Sequence, residues 1–346
     1  MRVLLDVLSP KMAMLAFYIR KALLDEGFDV EVIARDQTQT LAILDMLRVP
    51  YKLIGRYGTT LKEKLQAELQ REQLLLDYMD HCGIPDVLWS KGSVSGFRVA
   101  FGLKIPIVCT NDTLHNEPVV RLTVPLVDFL VIPEAYKAED WSQYGISKAR
   151  IIRYKGLEEV TWMKNLRPNK KRILKEVLGE VVDRLIVVRE IEYKSSYYSS
   201  NITSIVRLLA KSLENFTILY IPRYKEDYER VKGLNNVRVP KKIPYAPELL
   251  AVADLVISSG GTMCTEAALA GTPVINYFFW TPIAEYLKKR GLPIWYAPYP
   301  ENLISKAKEI LKKPETYRVN TELLLEQMES PVPKTVECIK RCLSKY

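Results

Sequence analysis

The feature that most constrains this chain is an alternation of short apolar, β-branched runs with longer stretches of helical periodicity. Val3–Leu8 predicts a buried strand and Met12–Glu26 a helix, and the same order returns from Arg184–Arg189 onward. Strands that alternate with helices form βαβ units, which build a parallel sheet covered by helices. The sequence therefore predicts an α/β fold.

A single interruption of this alternation predicts two domains. The chain has 346 residues, and a domain typically has roughly 150. We expect a first Rossmann-like domain over residues 1–155, an interdomain connection over 156–170 and a second Rossmann-like domain over 171–315. Residues 316–346 have a helical pattern and are expected to pack back on the first domain. The domains should face each other across a crevice, because such sheets bind ligands at the carboxyl ends of their strands.

The amino-acid composition limits the cellular compartments and the classes of partner that we expect for this protein. Five scattered cysteines argue against a secreted disulfide framework and favour a reducing cytoplasm. No run of roughly 18 uncharged apolar residues occurs, which predicts no transmembrane helix. The net charge of +9 favours anionic partners: nucleotides, nucleic acid or an acidic membrane face. The basic residues stand in scattered pairs and triplets without interleaved aromatic residues, which argues against nucleic acid.

Two predicted helices carry contrasting apolar patterns. Met12–Ile19 is apolar nearly all round, which predicts burial between the sheet and a neighbouring helix. The alternative for this segment is peripheral contact with a membrane that presents a lipid acceptor. The long helix Leu61–Cys82 is amphipathic, and its buried face is expected at four leucines: Leu61, Leu65, Leu69 and Leu76.

The most informative string lies within Asp254–Ile275, where a buried strand runs into the turn Ser259-Gly-Gly-Thr262 and then into a helix. The two glycines let a ligand approach the backbone, and a helix N-terminus favours an anion such as a diphosphate. Glu266 follows one turn later, where a carboxylate can accept hydrogen bonds from ribose hydroxyls. The alternative is a tight turn in which the glycines serve packing and Ser259 or Thr262 caps the helix.

The pattern Ser259-Gly-Gly-Thr-x-x-x-Glu-Ala-Ala-x-x-Gly-Thr-Pro273 resembles the nucleotide-sugar motif of GT-B glycosyltransferases, especially the MurG type. It is also similar to the motif of the non-hydrolysing UDP-N-acetylglucosamine 2-epimerases. Most of the chain resembles more closely a largely archaeal, MurG-like family of unknown function. Further strings carry this likeness: Ala34-Arg-Asp36, Leu53-Ile-Gly-Arg-Tyr-Gly58, Ala100-Phe-Gly-Leu-Lys-Ile-Pro106, Asn111-Asp-Thr113, Tyr154-Lys-Gly-Leu-Glu158 and Ile221-Pro-Arg223.

The resemblance implies a GT-B-like fold whose second domain holds a nucleotide-sugar donor, expected to be a UDP-sugar, without a separate cofactor. It assigns the ribose to Glu266 and the base to backbone groups at Lys242 and Ile243. The alternative for the segment that contains Lys242 and Ile243 is a plain Pro-bounded loop. The diphosphate is assigned to the residues of the turn: Ser259, Gly260, Gly261 and Thr262.

Two arginines and the absence of metal motifs complete the predicted donor site. Arg189 and Arg223 each end a second-domain strand, where a guanidinium can pair with phosphate oxygens. The alternative is that both are surface arginines at strand ends. The sequence contains no Asp-x-Asp triplet and no Cys-x-x-Cys spacing, so we expect metal-independent binding.

The first domain is expected to supply the catalyst and to bind the acceptor. The loop after the strand Ile105–Thr110 places Asp112, His115 and Glu117 at the carboxyl end of that strand. One of these groups would take the proton from an acceptor hydroxyl during sugar transfer. The alternative for Asp112 is an Asx turn or a helix cap.

The loop after the first strand departs from the family pattern. Lys11 and Met12 stand where the resembled families have a histidine, and Ser9 and Lys11 are expected to contact a phosphate or the acceptor. The leading hypothesis is a metal-independent glycosyltransferase that moves a sugar from a nucleotide diphosphate to a hydroxyl of a glycan or lipid-linked acceptor. One alternative is a 2-epimerase-like enzyme. The other is a non-catalytic nucleotide-binding or scaffold protein, and the missing histidine favours this second alternative.

Overall fold

The structure, a computed structural model, describes residues 1–193, 204–224 and 226–344. They belong to two units: unit 1 comprises Met1–Thr161 and the residues from Glu329 onward, and unit 2 comprises the described residues between Trp162 and Met328. The division lies inside the predicted connection 156–170. The expectation that the whole segment 316–346 packs on the first domain is wrong, because its residues before Glu329 belong to unit 2.

The elements of unit 1 alternate as the sequence predicts, and a short helix lies at the division between the units. In chain order they are β1 (Arg2–Val7), α1 (Pro10–Asp25), β2 (Asp29–Asp36), α2 (Thr38–Met46), β3 (Lys52–Arg56), α3 (Leu61–Cys82), β4 (Val87–Ser90), α4 (Val94–Gly102), β5 (Ile107–Thr110), α5 (Glu117–Thr123), β6 (Phe129–Pro133), α6 (Ala138–Ser142), β7 (Ile151–Tyr154) and α7 (Val160–Met163).

The elements of unit 2 repeat this alternation, and the chain then returns to unit 1 for its last helix. They are α8 (Lys170–Leu178), β8 (Leu185–Arg189), α9 (Ile205–Ser212), β9 (Thr217–Tyr220), α10 (Asp227–Val231), β10 (Val237–Arg238), α11 (Ala246–Val252), β11 (Leu255–Ser258), α12 (Thr262–Leu269), β12 (Val274–Asn276), α13 (Pro282–Lys289), β13 (Ile294–Tyr296), α14 (Pro300–Lys312), α15 (Glu322–Gln327) and, in unit 1, α16 (Val332–Leu343).

Each unit is built on one parallel sheet, which confirms the predicted fold class. The strand order is β3-β2-β1-β4-β5-β6-β7 in unit 1 and β10-β9-β8-β11-β12-β13 in unit 2. The order of the strands reverses between β1 and β4 in the first sheet and between β8 and β11 in the second. Ligands of doubly wound sheets bind at the carboxyl ends of the strands at such switch points.

The first helix is buried, as the main prediction has it. Helix α1 packs against α2, β1, β2 and α16. Most of the apolar side chains that the membrane-contact alternative would need are therefore covered by the protein itself, whereas Phe17 and Tyr18 are partly exposed. The buried residues of α1 are Met12, Ala13, Met14, Leu15, Ala16, Ile19 and Leu23.

The predicted buried face of α3 is wrong. Leu61, Leu65 and Leu69 are 72%, 63% and 60% exposed, and Leu76 is also exposed. The helix instead buries a row at four-residue spacing, which packs against α4 and β3. That row consists of Ala67, Arg71, Leu75 and Met79.

Arg71 explains why this face is the buried one. Its guanidinium forms two hydrogen bonds with the Asp6 carboxylate, at 2.6 and 3.0 Å, and Nε donates to the backbone oxygen of Ile54 at 2.9 Å. Ser93 and Ser95 accept further hydrogen bonds from the same guanidinium. A buried arginine is tolerated when its charge is paired and its donors are satisfied, so a polar residue can occupy the inward row.

The last helix, α16, belongs to unit 1 and covers part of its sheet. Helix α16 packs against α1, β4, β5 and β6, so the prediction of a helix that returns to the first domain is confirmed for this element. The hydroxyls of Thr110 and Thr335 form a buried hydrogen bond of 2.8 Å between β5 and α16. Among the helices of the described ranges, none combines the length and hydropathy needed to cross a membrane.

One predicted helix begins among residues that the structure does not describe. The sequence pattern also predicts a helix over Ser200–Glu214, and the structure has α9 over Ile205–Ser212 with Ser204 as its N-cap. Residues 200–203 of that prediction lie outside the described residues.

Candidate functional site

A buried group of charged side chains lies at the carboxyl end of the unit 1 sheet. Lys11 lies in the first turn of α1, directly after β1, Lys91 follows β4 and Asp112 follows β5. Because β1, β4 and β5 are neighbours in the sheet, their ends bring these residues together. Two glutamates after β7 complete the lysine–carboxylate cluster, which consists of Lys11, Lys91, Asp112, Glu158 and Glu159.

The two ammonium groups bridge the three carboxylates. Lys11 Nζ lies 2.7 Å from Oε1 of Glu159 and 3.1 Å from Oε2 of Glu158, and it also contacts the Asp112 carboxylate. Lys91 Nζ lies 2.5 Å from Oε1 of Glu158 and contacts the second oxygen of Asp112. With every group ionised the cluster would carry one net negative charge inside the protein, which is costly.

Two carboxyl groups of the cluster, Asp112 and Glu159, have pKa values shifted in opposite directions. Burial by itself would raise the pKa of Asp112, but the charges of Lys11 and Lys91 outweigh it and hold that pKa far below its usual range. Burial and the negative charges of Asp112 and Glu158 raise the pKa of Glu159 to about 7. The positive charge of Lys11 offsets this rise only in part. Glu159 is therefore the carboxyl that gains or loses a proton near neutral pH.

The other predicted catalytic residues lie at different levels of exposure. Glu117 begins α5 on the surface, and its carboxylate pairs with Arg121 one turn later at 2.6 Å, so it is not a member of the cluster. His115 lies half-buried in the loop before α5. Burial lowers the pKa of His115, an effect that the charge of Asp112 partly offsets, which favours the neutral imidazole at neutral pH.

The turn alternative for Asp112 is wrong. The Asx turn in this loop is made by Asn111, whose Oδ1 accepts a hydrogen bond of 2.8 Å from the N–H of Thr113. The Asp112 carboxylate points to the lysines, and its backbone oxygen accepts a hydrogen bond of 2.9 Å from the hydroxyl of Tyr136. Ser9 has a structural role as the N-cap of α1, where Oγ accepts from the N–H of Met12 at 3.4 Å.

Sequence reasoning missed three members of the cluster. Lys91 follows a fully buried strand directly, a position from which a charged side chain reaches the carboxyl edge of the sheet. Glu158 and Glu159 lie in the predicted interdomain connection, and Glu158 ends one of the strings that carry the family resemblance. For Lys91, a charge placed directly after a buried strand was the available signal.

The glycine turn lies at the switch point of the unit 2 sheet, between the end of β11 and α12. Gly261 is the N-cap of α12 with φ 69°, and no side chain makes a capping hydrogen bond. The alternative in which Ser259 or Thr262 caps this helix is therefore wrong. A Cβ added at Gly261 would meet no atom within 4 Å, whereas one at Gly260 would lie 2.9 Å from the backbone oxygen of Phe279.

Glu266 lies one turn into α12 and is 3% exposed. The indole Nε1 of Trp162, in α7, donates a hydrogen bond of 2.9 Å to Oε1 of Glu266. Trp162 is also 3% exposed. The sequence predicts Glu266 at this site, whereas no sequence pattern indicates Trp162.

Arg189 and Arg223 lie in different surroundings. Arg189 ends β8, opposite Ser258 in the register, and its Nη1 lies 3.6 Å from the sulfur of Met263 in the first turn of α12. Burial lowers the pKa of Arg189 to about 9, and the charge of Arg223 contributes, so the side chain remains a cation at neutral pH. Arg223 Nη1 instead donates to the Glu192 carboxylate at 3.3 Å.

The predicted base-binding segment lies between β10 and α11, and both Lys242 and Ile243 are exposed there. Their role stays a prediction. In the described part of the chain, no group of three or more histidine, cysteine, aspartate or glutamate side chains is arranged to hold a metal ion.

Comparison with known protein families decides the relationship of this chain. The sequence model of a family described as "Protein of unknown function (DUF354)" matches residues 2–293. The chain belongs to the DUF354 family. A relative of this DUF354 protein, "Uncharacterized protein MJ0665" of Methanocaldococcus jannaschii, is 30% identical over 260 residues, which cover 73% of the chain and 74% of the relative.

Three solved structures share the fold of the DUF354 protein. The Staphylococcus aureus MnaA–UDP co-structure has a TM-score of 0.76 at 14% identity and covers 99% of this chain and 97% of its own. The Methanocaldococcus jannaschii UDP-GlcNAc 2-epimerase with UDP-GlcNAc and UDP has a TM-score of 0.74 at 18% identity, covering 99% and 100%. Anabaena Alr3699/HepE with UDP and glucose has a TM-score of 0.67 at 16% identity, covering 100% of both chains. Such identities show a common GT-B-type fold of two Rossmann-like units.

Proposed function

We propose that this DUF354 protein binds a UDP-sugar through unit 2 and transfers the sugar to an acceptor hydroxyl without a metal ion. The observation that carries the proposal is the N-terminus of α12, capped by Gly261 and followed by the buried carboxylate of Glu266. Helix N-termini with glycine at the cap suit a diphosphate, and the cation Arg189 lies beside the same helix turn. The three similar structures are complexes with UDP, which supports uridine as the nucleoside.

The catalytic part of the proposal rests on Glu159. Transfer to a hydroxyl requires one group that accepts a proton, and such a base works best when its pKa lies near the working pH. Glu159 meets this condition with a pKa of about 7, whereas two lysines hold Asp112 in its ionised, weakly basic form. We assign the base to Glu159 and the stabilisation of the cluster to Lys11 and Lys91. The acceptor is a hydroxyl of a glycan or lipid-linked sugar.

Calorimetric titration tests the donor site. The protein is titrated in metal-free buffer with UDP, GDP, TDP, CDP and ADP, and we expect selective binding of UDP. Glu266→Ala should weaken that binding at least about tenfold, because the ribose hydroxyls lose their acceptor. Glu301→Ala removes an exposed carboxylate from α14 of the same unit and should leave the affinity unchanged. Absence of binding to all five nucleotides would reject the proposal.

The pH dependence of turnover tests the base. Glu159 must be ionised to accept a proton, so kcat/KM should rise with pH through an inflection near 7. Glu159→Gln should remove both the inflection and most of the turnover while UDP affinity persists. Turnover of Glu159→Gln with an unchanged pH profile would exclude Glu159 as the base and return the role to Asp112 or His115.

A 2-epimerase-like reaction is the second candidate. The observation that favours it is that Glu159 titrates near neutral pH within the cluster, so the same carboxyl can be present as an acid and as a base, and epimerisation needs both. Incubation with UDP-N-acetylglucosamine in deuterated water separates the reactions. Epimerisation produces the C2 epimer with deuterium at C2 and needs no acceptor, whereas transfer releases UDP only when an acceptor is present. Binding without either product would favour the scaffold alternative.

A further inference from the structure

We infer that Trp162 is a positioning residue for ribose recognition, because its indole orients the Glu266 carboxylate toward the ribose hydroxyls. The inference rests on the proposed donor site and predicts which nucleotides this site prefers. Unit 2 should select nucleotides with ribose hydroxyls over nucleotides that lack them, and Trp162 should be responsible for part of this selection.

The chemistry of the contact supports this role. The indole N–H is the only polar group of a tryptophan side chain and can only donate. Its hydrogen bond of 2.9 Å to Oε1 therefore leaves Glu266 in the role of an acceptor, as recognition of two hydroxyl donors requires. A buried carboxylate needs such donors to offset its lost hydration, and the indole also keeps the side chain in one orientation.

The surroundings show that the orientation is built into the fold. Both side chains are 3% exposed, so neither can turn away into solvent. Glu266 lies one turn after Gly261, the N-cap of α12, and the charge of Arg189 acts on the same carboxylate. The turn that would hold the diphosphate and the carboxylate that would hold the ribose thus belong to one helix, and Trp162 sets the direction of the second group.

Trp162 lies close in sequence to Glu159, the proposed base. It follows Glu159 by three residues, and the short helix α7 contains Trp162 itself. One short segment thus supplies the proposed base of unit 1 and the residue that orients Glu266 in unit 2. A sequence separation of 104 residues lies between Trp162 and Glu266, so no local pattern could indicate the pair.

Calorimetry with two ligands tests the inference. Wild type, Trp162→Phe and a control are titrated with UDP and with 2′,3′-dideoxyuridine diphosphate. The control is Trp295→Phe, which changes a half-buried tryptophan in β13 of the same unit. Wild type and Trp295→Phe should prefer UDP strongly. Trp162→Phe keeps an aromatic ring in place and loses only the N–H, so the preference should fall about tenfold through weaker binding of UDP alone. In a Glu266→Ala background, Trp162→Phe should have no further effect on either ligand.

Each contrary result has a distinct meaning. If wild type binds neither ligand, the proposed donor site is wrong and the inference falls with it. If wild type binds both ligands equally, Glu266 does not recognise ribose and the inference is overturned. If wild type prefers UDP and Trp162→Phe prefers it to the same extent, only the inference is overturned. Equal weakening of both ligands by Trp162→Phe would show a packing role and would also overturn it.

Discussion

The ammonium nitrogen of Lys11 lies 2.7 Å from a carboxylate oxygen of Glu159 in unit 1, where the Glu159 side chain is buried and that of Lys11 is 13% exposed. Burial raises the pKa of this carboxyl to about 7 in spite of the contact. Below that pH Glu159 carries a proton and adds no charge to the cluster. Above it Glu159 adds a buried negative charge, so the stability of unit 1 should depend on pH.

Glu159→Gln should remove this dependence. The folded protein retains a proton on Glu159 up to pH about 7, whereas the unfolded chain loses it near the ordinary pKa of 4.5. The folded state is therefore favoured at low pH and loses this advantage as the pH rises toward 7. Between pH 5 and pH 8, wild type should lose about 2 kcal/mol of unfolding free energy relative to Glu159→Gln. Urea denaturation across this range measures the difference, and parallel pH profiles would contradict the assignment.

The buried pair of Arg71 and Asp6 should be strongly stabilising relative to either residue alone. Arg71→Met leaves the Asp6 carboxylate buried without its two hydrogen bonds of 2.6 and 3.0 Å, which should cost about 3–5 kcal/mol. The double variant Arg71→Met with Asp6→Leu removes both charges and should recover much of the loss. Urea denaturation of the set gives the coupling, and a cost for Arg71→Met below about 1 kcal/mol would show that the pair is not essential.

Two glycines with positive φ should respond very differently to alanine. Gly271 has φ 72°, and an added Cβ would lie 1.9 Å from the backbone oxygen of Val319. Gly179 has φ 85°, and an added Cβ would meet nothing within 4 Å. Gly179→Ala should therefore cost about 1–2 kcal/mol through backbone strain alone, while Gly271→Ala should add at least about 1–3 kcal/mol for the clash. Thermal denaturation compares them, and equal effects would contradict this contact.

The face that α3 buries can be tested with two leucines of the same helix. Leu75 is fully buried and Leu69 is 60% exposed. Leu75→Ala should lower the unfolding free energy by about 2–5 kcal/mol because it leaves a cavity, whereas Leu69→Ala should change it by less than about 0.5 kcal/mol. Urea denaturation measures both variants. The reverse order would restore the face that the leucine pattern predicts.

The sequence alone predicted the elements that local patterns determine. Alternating apolar runs indicated two parallel sheets, and the turn Ser259-Gly-Gly-Thr262 indicated the start of α12 and the position of Glu266. Such features depend on residues close together in the chain, because periodicity and glycine conformation act over one or two turns. The α/β class of the fold and the glycine turn could therefore be predicted from the sequence alone.

The tertiary structure alone decided which charges meet. Lys91 and Glu158 are separated by 67 residues in the chain, and their contact follows from the order of the strands in the sheet. The face that α3 buries is determined by the ion pair between Arg71 and Asp6 and not by the number of leucines on the helix. The sequence by itself determined helices, strands and turns, because their causes are local. Only the fold determined the cluster around Glu159 and the partner of Glu266, because the free energy of a buried charge depends on groups that the chain brings together from a distance.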